Sequence, residues 1–289
     1  MPLHEAKALE EGTAPDAPLA EHGFSVLVEV HKGDTTRRVL FDTGLTPQGC
    51  VNNLHRLGWD PGDLEVIVCS HGHFDHTTGC PGSSTSSAPP ACRSSPNPEF
   101  WNHRRLAIPG AEPFELPTTS RRALEDAGFD IIENRQPSFL FGRSVVVTRE
   151  VDRTSGFEQG FPIHQARRNG SWEPDPLILD DQALIANVAG KGLVVITGCG
   201  HAGVINTCRY AQRLSGVDQL HAVIGGFHLN GPLFAPPAWR STAGCGSSPS
   251  MGRRGCAGRP SSGRTAFCGC SPRSSVSSAG ASPRPSGAD

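Results

Sequence analysis

The densest chemistry in this 289-residue chain lies in Ser70-His71-Gly72-His73-Phe74-Asp75-His76, where four side chains able to bind a cation fall within six residues. In an extended segment His71 and His73 project to one side, two residues apart, while Asp75 and His76 fall on the turn that follows. Imidazole and carboxylate suit zinc, and also iron or manganese; no thiolate cluster accompanies them to close a structural site. Gly72 allows another backbone to come close. The competing reading, a group of solvated loop histidines, has against it the apolar run Glu65–Cys69 directly before the triplet.

The same construction recurs downstream. Leu193–Thr197 is apolar and ends in Gly198-Cys199-Gly200-His201, and Leu220–Ile224 ends in Gly225-Gly226-Phe227-His228. Three strands thus run into small-residue turns bearing histidine. As parallel neighbours in one sheet they would deliver His201 and His228 to the crevice at the strand ends, where open α/β sheets place ligands. Arg38–Phe41 runs into Asp42-Thr43-Gly44, and Asp42 is positioned to orient a ligand histidine through a hydrogen bond. Cys199 is read as part of the turn.

The other histidines lack a partner motif. His4, His31, His55, His103, His164 and His221 are expected to be ordinary surface or hydrogen-bonded residues. His22, beside Glu21 and just before a strand, is left open. Arg149–Arg153 and Arg167-Arg168 could meet an anionic substrate or simply be solvated, and Asp180-Asp181-Gln182 precedes a strand as a turn. None of these fixes a substrate-binding residue.

The elements that must hold these residues are legible between Gly23 and Phe234. Short β-branched runs at Phe24–Val30, Arg38–Phe41, Glu65–Cys69, Ser144–Thr148, Ala183–Val188, Leu193–Thr197 and Leu220–Ile224 alternate with helical spacing at Asn52–Leu57 and Val204–Leu214. Ser120–Ala127 opens on a plausible N-cap. Several runs are apolar throughout, as strands covered on both faces are, so an α/β fold with helices layered over sheet is expected. The domain organisation reads as an N-terminal extension over 1–20, one domain over 21–239 and a tail over 240–289.

Two stretches depart from this pattern. Residues 80–98 and 240–289 are rich in Ser, Gly, Pro, Arg and Cys, and Val276 is the only large aliphatic residue of the tail. Such composition does not offset its ordering entropy. A disordered insert and tail, and out-of-frame translation of a GC-rich gene, both account for it; the other reading frames at these codons separate them.

Composition narrows the function classes. With 26 Lys and Arg against 28 Asp and Glu, the net charge of −2 provides no basic field for nucleic acid. No apolar run approaches the roughly 18 residues of a membrane span, and Met1–Pro18 lacks the apolar core of an export signal. A soluble cytoplasmic protein with reduced thiols is expected, its ten cysteines being irregularly spaced. Cys268 and Cys270 alone do not make a zinc motif.

The strand before "HGHFDH", with "LFDTG" ahead of it and "TGCGHAG" and "GGFHL" behind, resembles the metallo-β-lactamase superfamily. "EHGFSVLVEV", "SHGHFDH", "GLVVITGCGHAGVINT" and "VIGGFHLNGP" are similar to its subgroup named after dihydropterin-methyl-ribofuranosylaminobenzene-phosphate synthase. The resemblance runs from about Glu21 to Pro237, apart from 80–98.

It implies a four-layer αββα sandwich carrying one or two divalent ions. His71 and His73 would bind the first, His201 would complete it, Asp75 and His76 would bind the second, and His228 would be a further ligand or lie against the site. Asp75 would also orient a catalytic water, with metal-bound hydroxide or a metal-polarised substrate as the reactive species. Members of the subgroup continue to a strand ending in a further histidine, which this chain lacks after His228. A small phosphorylated or ester/lactone substrate is implied, with a catalytically impaired or non-catalytic small-molecule binder on the same fold as the alternative. The oligomeric state is left open.

Overall fold

The computed structural model describes residues 2–80, 91–93, 98–133, 136–228 and 266–269. The chain opens with a hairpin of β1 (Leu3–Glu5) and β2 (Thr13–Pro15). It is tied to the first helix, α1 (Gly49–Arg56): Arg56 Nε donates to Asp16 at 2.8 Å, and Asn53 exchanges two 2.8 Å hydrogen bonds with the Leu19 backbone.

One sheet has the order β3 (Val26–Lys32), β4 (Thr35–Phe41), β5 (Val66–Val68) and β6 (Ala91–Arg93), with only the first pair antiparallel. A small antiparallel sheet combines β7 (Arg104–Leu106), β8 (Phe114–Glu115), β11 (His164–Arg168) and β12 (Ser171–Pro174). The largest contains β9 (Ser138–Leu140), β10 (Val145–Val147), β13 (Ala183–Val188), β14 (Gly192–Thr197), β15 (Leu220–Gly225) and β16 (Ala266–Gly269), in spatial order 16-15-14-13-10-9. Its β14, β15 and β16 are parallel.

Strand alternation decides the layering, because successive side chains leave opposite faces. Val39 and Phe41 of β4 and Val66 and Val68 of β5 point inward, against Leu140, Val145, Val147, Leu184 and Ile196 of the facing sheet. Leu40, Ile67 and Cys69 point the other way, onto Cys50 and Leu54 of α1 together with Phe100 and Phe129. On the far side, Ile185, Val195 and Val223 pack under Val204, Cys208 and Ala211 of the helix α4 (Val204–Ser215). The result is helix, sheet, sheet, helix.

Two short helices complete the set: α2 (Phe74–Thr77), and α3 (Arg121–Asp126), whose predicted cap Ser120 accepts from the Ala123 N–H at 3.2 Å. The start of α4 is capped from outside the helix. The buried Glu158 carboxylate accepts from the N–H groups of Ile205 and Asn206 at 2.9 and 2.8 Å, satisfying donors that the first turn leaves open.

One expectation is corrected. The three histidine-bearing strands do not share a sheet: β14 and β15 are parallel neighbours, whereas β5 belongs to the facing one. The crevice therefore opens along the common edge of a sandwich, which two-sided burial allows as readily as one sheet does. Of the two anomalous segments, 91–93 and 266–269 pair in parallel with β5 and β15; residues 81–90, 94–97 and the rest of the tail lie outside the described residues. Cys50, Cys69, Cys80, Cys199 and Cys208 are in no disulfide.

Leu184→Ala empties a position at the centre of the inter-sheet core and is expected to cost about 2–5 kcal/mol in urea unfolding. A loss below about 1 kcal/mol would contradict this packing.

Candidate metal centre

The site begins with Asp42, fully buried at the end of β4 and held at φ +60°, a left-handed conformation that Asp tolerates better than most residues. Its carboxylate accepts from the Ser70 N–H at 2.5 Å, from Ser70 Oγ at 2.7 Å and from His76 Nδ1 at 2.6 Å. Because the Ser70 hydroxyl proton goes to Asp42, Ser70 Oγ accepts from His71 Nδ1 at 2.9 Å. One carboxylate thus orients both His71 and His76 through Nδ1, turning each Nε2 into the cluster, where that of His71 lies 2.9 Å from His73 Nδ1 and that of His76 beside Cys199.

The motif is bent into place by close contacts that only glycine permits. A Cβ on Gly72 would collide with the Phe100 carbonyl, and one on Gly198 with the Ser70 side chain. Past β5 the chain turns into α2, setting His73 at its N-cap and Asp75 and His76 in its single turn. From β14 the Gly198-Cys199-Gly200 turn brings in Cys199 and His201.

The imidazoles converge. Ring centroids of His71 lie 4.5 Å from His73, 4.5 Å from His76 and 4.6 Å from His201, and His201 is 5.0 Å from His73 and 4.9 Å from His228. Donor atoms of His71, His73 and His201 lie within 4.8 Å of one another, as do those of His71, His76 and Cys199, and those of Cys199, His201 and His228. His76 Nε2 is 3.0 Å from Cys199 Sγ. Asp75 reaches this group from the side, its Oδ2 being 3.7 Å from His76 Nε2, and belongs to none of the three sets.

This donor set fits a divalent cation. His73 Nε2 and both ring nitrogens of His201 are buried without a hydrogen-bond partner, a costly arrangement for groups with nothing to bind. Burial pulls His71, His73 and His201 well below the ordinary imidazole range, and the neighbouring imidazoles add to this, so all three are neutral bases. Burial opposes the charged form of His76 too, but the Cys199 sulfur and the Asp42 carboxylate outweigh it and raise that group.

The turn at 180–182 proves to be the clamp between the two halves. Asp180 accepts from the Gly72 N–H at 2.8 Å, Asp181 from the Ala202 N–H at 2.6 Å, and Gln182 donates its side chain to the Cys69 carbonyl at 2.7 Å. Consecutive residues therefore hold the loop of His71 and His73 against that of His201. Arg104, buried and absent from the sequence reading, ties Asp180 (2.5 Å) to Asp175 (3.0 Å). Burial lifts Asp181 to about 7, against the pull of the Ala202 N–H and Arg153.

His164 requires a correction. Read as an ordinary histidine, it lies at the start of β11 with its ring stacked on His73 at 5.4 Å and edge-on to His201 at 5.4 Å, its Nδ1 buried and unpartnered. Phe161 packs among His164, His201 and His228. No motif marks His164; the apolar Phe161-Pro162-Ile163 leading into it is the one sequence sign of a buried position. His22 reaches the rim, 3.3 Å from Asp75 Oδ2, while remaining 80 % exposed. His4, His31, His55 and His103 are exposed, and His221 is half-buried on β15.

The arginines are occupied structurally. Arg149 is buried and donates to Ser138 Oγ at 3.0 Å, Arg153 donates to the Leu177 carbonyl, and Arg168 pairs with Glu99 and Asp175. Arg167 is exposed on β11.

Two predictions follow from this network. Asp180→Ala strands the Arg104 guanidinium with Asp175 alone and is expected to cost about 3 kcal/mol in chelator-treated protein, measured by urea unfolding; an unchanged midpoint would contradict the clamp. Burial also lowers His164 and His228 to about 4 from 6.5. Their unfolded forms take up protons near 6.5 and their folded forms only near 4, so stability is lost as pH falls through that window. Metal-free protein should melt progressively lower from pH 6.5 towards 4, and a flat or rising melting temperature would contradict this.

The match to known proteins follows the same geometry. Residues 19–212 match the family model of the metallo-β-lactamase superfamily. The chain is 30% identical over 216 residues to the 7,8-dihydropterin-6-methyl-4-(β-D-ribofuranosyl)-aminobenzene-5'-phosphate synthase of Methanocaldococcus jannaschii, covering 73% of this chain and 71% of that protein. An uncharacterised protein of the same organism is 30% identical over 229 residues, covering 78% and 79%. Among solved structures, a metal-dependent hydrolase of the β-lactamase superfamily superposes with a TM-score of 0.55 at 23% identity, covering 74% of this chain and 72% of that one. The chain belongs to the metallo-β-lactamase superfamily.

Proposed function

We propose that this chain is a metal-dependent enzyme of hydrolase type, with zinc as its metal, acting in the cytoplasm on a small phosphorylated or ester/lactone substrate. The observation that carries the reading is the convergence of buried imidazoles, among which His73 Nε2 and both ring nitrogens of His201 have no hydrogen-bond partner. His71, His73 and His201 would hold one ion; His76 and Asp75, with His228 alongside, would hold another. A divalent ion there supplies Lewis acidity, polarising a carbonyl or phosphoryl oxygen and bringing the pKa of water towards neutrality.

The chain's own groups do the remaining work. Asp42 and Ser70 hold the Nδ1 atoms of His71 and His76, so both rings turn Nε2 into the cluster before any ligand arrives. The Asp75 carboxylate, at the open side of the cluster, accepts a hydrogen bond from water and orients it towards the bound substrate. His164 and Phe161 form a wall that limits solvent next to His201. The turn at 180–182 keeps the two histidine loops in register, which matters because misplacement of about 1 Å can cost 100-fold in rate.

The 30% identical synthase supports a narrower reading, in which the substrates are a dihydropterin and a ribofuranosylaminobenzene phosphate. The net charge of −2 favours a small molecule over nucleic acid as the partner.

Metal analysis of the purified full chain beside His73→Ala tests this reading, together with turnover of phosphodiester, lactone and dihydropterin substrates. Wild type is expected to carry metal and turn over at least one class, and His73→Ala to retain less metal and lose turnover. Metal binding without turnover of any class would favour the non-catalytic binder, and equal metal content in both proteins would contradict the site.

A further inference from the structure

We propose that Cys199 is itself a metal ligand, its sulfur joining His76 at the second cation position. The inference rests on the reading of the cluster as a metal centre and adds a thiolate to what has so far been a nitrogen and oxygen site.

Three observations converge on this sulfur. Cys199 is the shared corner of two of the three donor sets: its Sγ lies within 4.8 Å of donor nitrogens of His71 and His76 on one side and of His201 and His228 on the other. The contact with His76 Nε2 is 3.0 Å, and the same ring is held at its other nitrogen, Nδ1, by Asp42 at 2.6 Å. Beside it, His201 is buried with neither ring nitrogen partnered. The cysteine therefore lies among four imidazoles that face one another, where a hydrogen-bonded core thiol would need only one.

The backbone around it is built for this placement. Gly198 passes so close to Ser70 that no side chain fits, its carbonyl accepts from the Gly226 N–H at 2.6 Å, and Gly200 turns the chain at φ +63°. A three-residue turn thus aims Cys199 and His201 into the same space from the end of β14. The sulfur adds a donor where the second position is thin. His76 contributes one nitrogen, and Asp75 belongs to no set of three donors within 4.8 Å of one another among the described residues. No histidine follows His228 in the sequence. A thiolate also shifts preference away from manganese and towards zinc or another softer cation. On metal binding the thiol releases its proton to solvent, so no co-reactant is needed.

Cobalt(II) substitution of the full chain tests the assignment without relying on activity. Wild type is expected to show a near-ultraviolet sulfur-to-cobalt charge-transfer band, and Cys199→Ser to lose that band while its bound cobalt falls from about two ions per chain to about one. Cobalt bound without the band, or a band that survives in Cys199→Ser, overturns the role of Cys199 and leaves the metal centre standing. No cobalt binding at all overturns both. If Cys199→Ser does not fold, alkylation of wild type mapped by mass spectrometry decides: Cys199 labelling should slow at least about tenfold when zinc is added to stripped protein, and an unchanged rate overturns the proposal.

Discussion

A single buried carboxylate sets the chemistry of the site. Asp42 accepts three hydrogen bonds from Ser70 and His76 and through Ser70 also fixes His71. A buried charge is tolerated only when its lone pairs are satisfied, and here the donors that satisfy it are the groups that must be oriented. The left-handed backbone at Asp42 follows from the same demand, since the residue leaves β4 and turns its side chain back beneath the end of β5.

The rest of the fold makes this arrangement possible. Two sheets packed face to face give a dry core, and each carries histidines on loops at the same edge. Neither half is complete alone: β5 supplies His71, His73 and His76, and β14 and β15 supply Cys199, His201 and His228. Asp180, Asp181 and Gln182 join the halves by hydrogen bonds to backbone on both sides. Buried Arg104 pairs with Asp180 and Asp175, so the clamp's charge is met inside the protein.

Much of this was legible in the sequence, for identifiable reasons. Apolar runs such as Leu193–Thr197 become strands covered on both faces, and their burial is written in composition. The motif around His71 and His73 is local, so its geometry depends on few distant residues. His164 was not legible because β11 is a polar strand, His-Gln-Ala-Arg-Arg, that gains its place only by pairing with β7 and β12. Arg104 and Arg149 look like surface charges in the sequence, and only tertiary partners turn them inward. The assignment of β5 to the facing sheet was likewise hidden, because a strand's partner is set by long-range packing and not by its own pattern.

The central claim is that these imidazoles share a cation. Anomalous diffraction from crystals of the zinc-loaded protein, recorded on both sides of the zinc absorption edge, tests it most directly. The account predicts a peak about 2.0–2.1 Å from nitrogens of His71, His73 and His201. Zinc found only elsewhere on the molecule, with these three side chains bound to one another or to water, would contradict it.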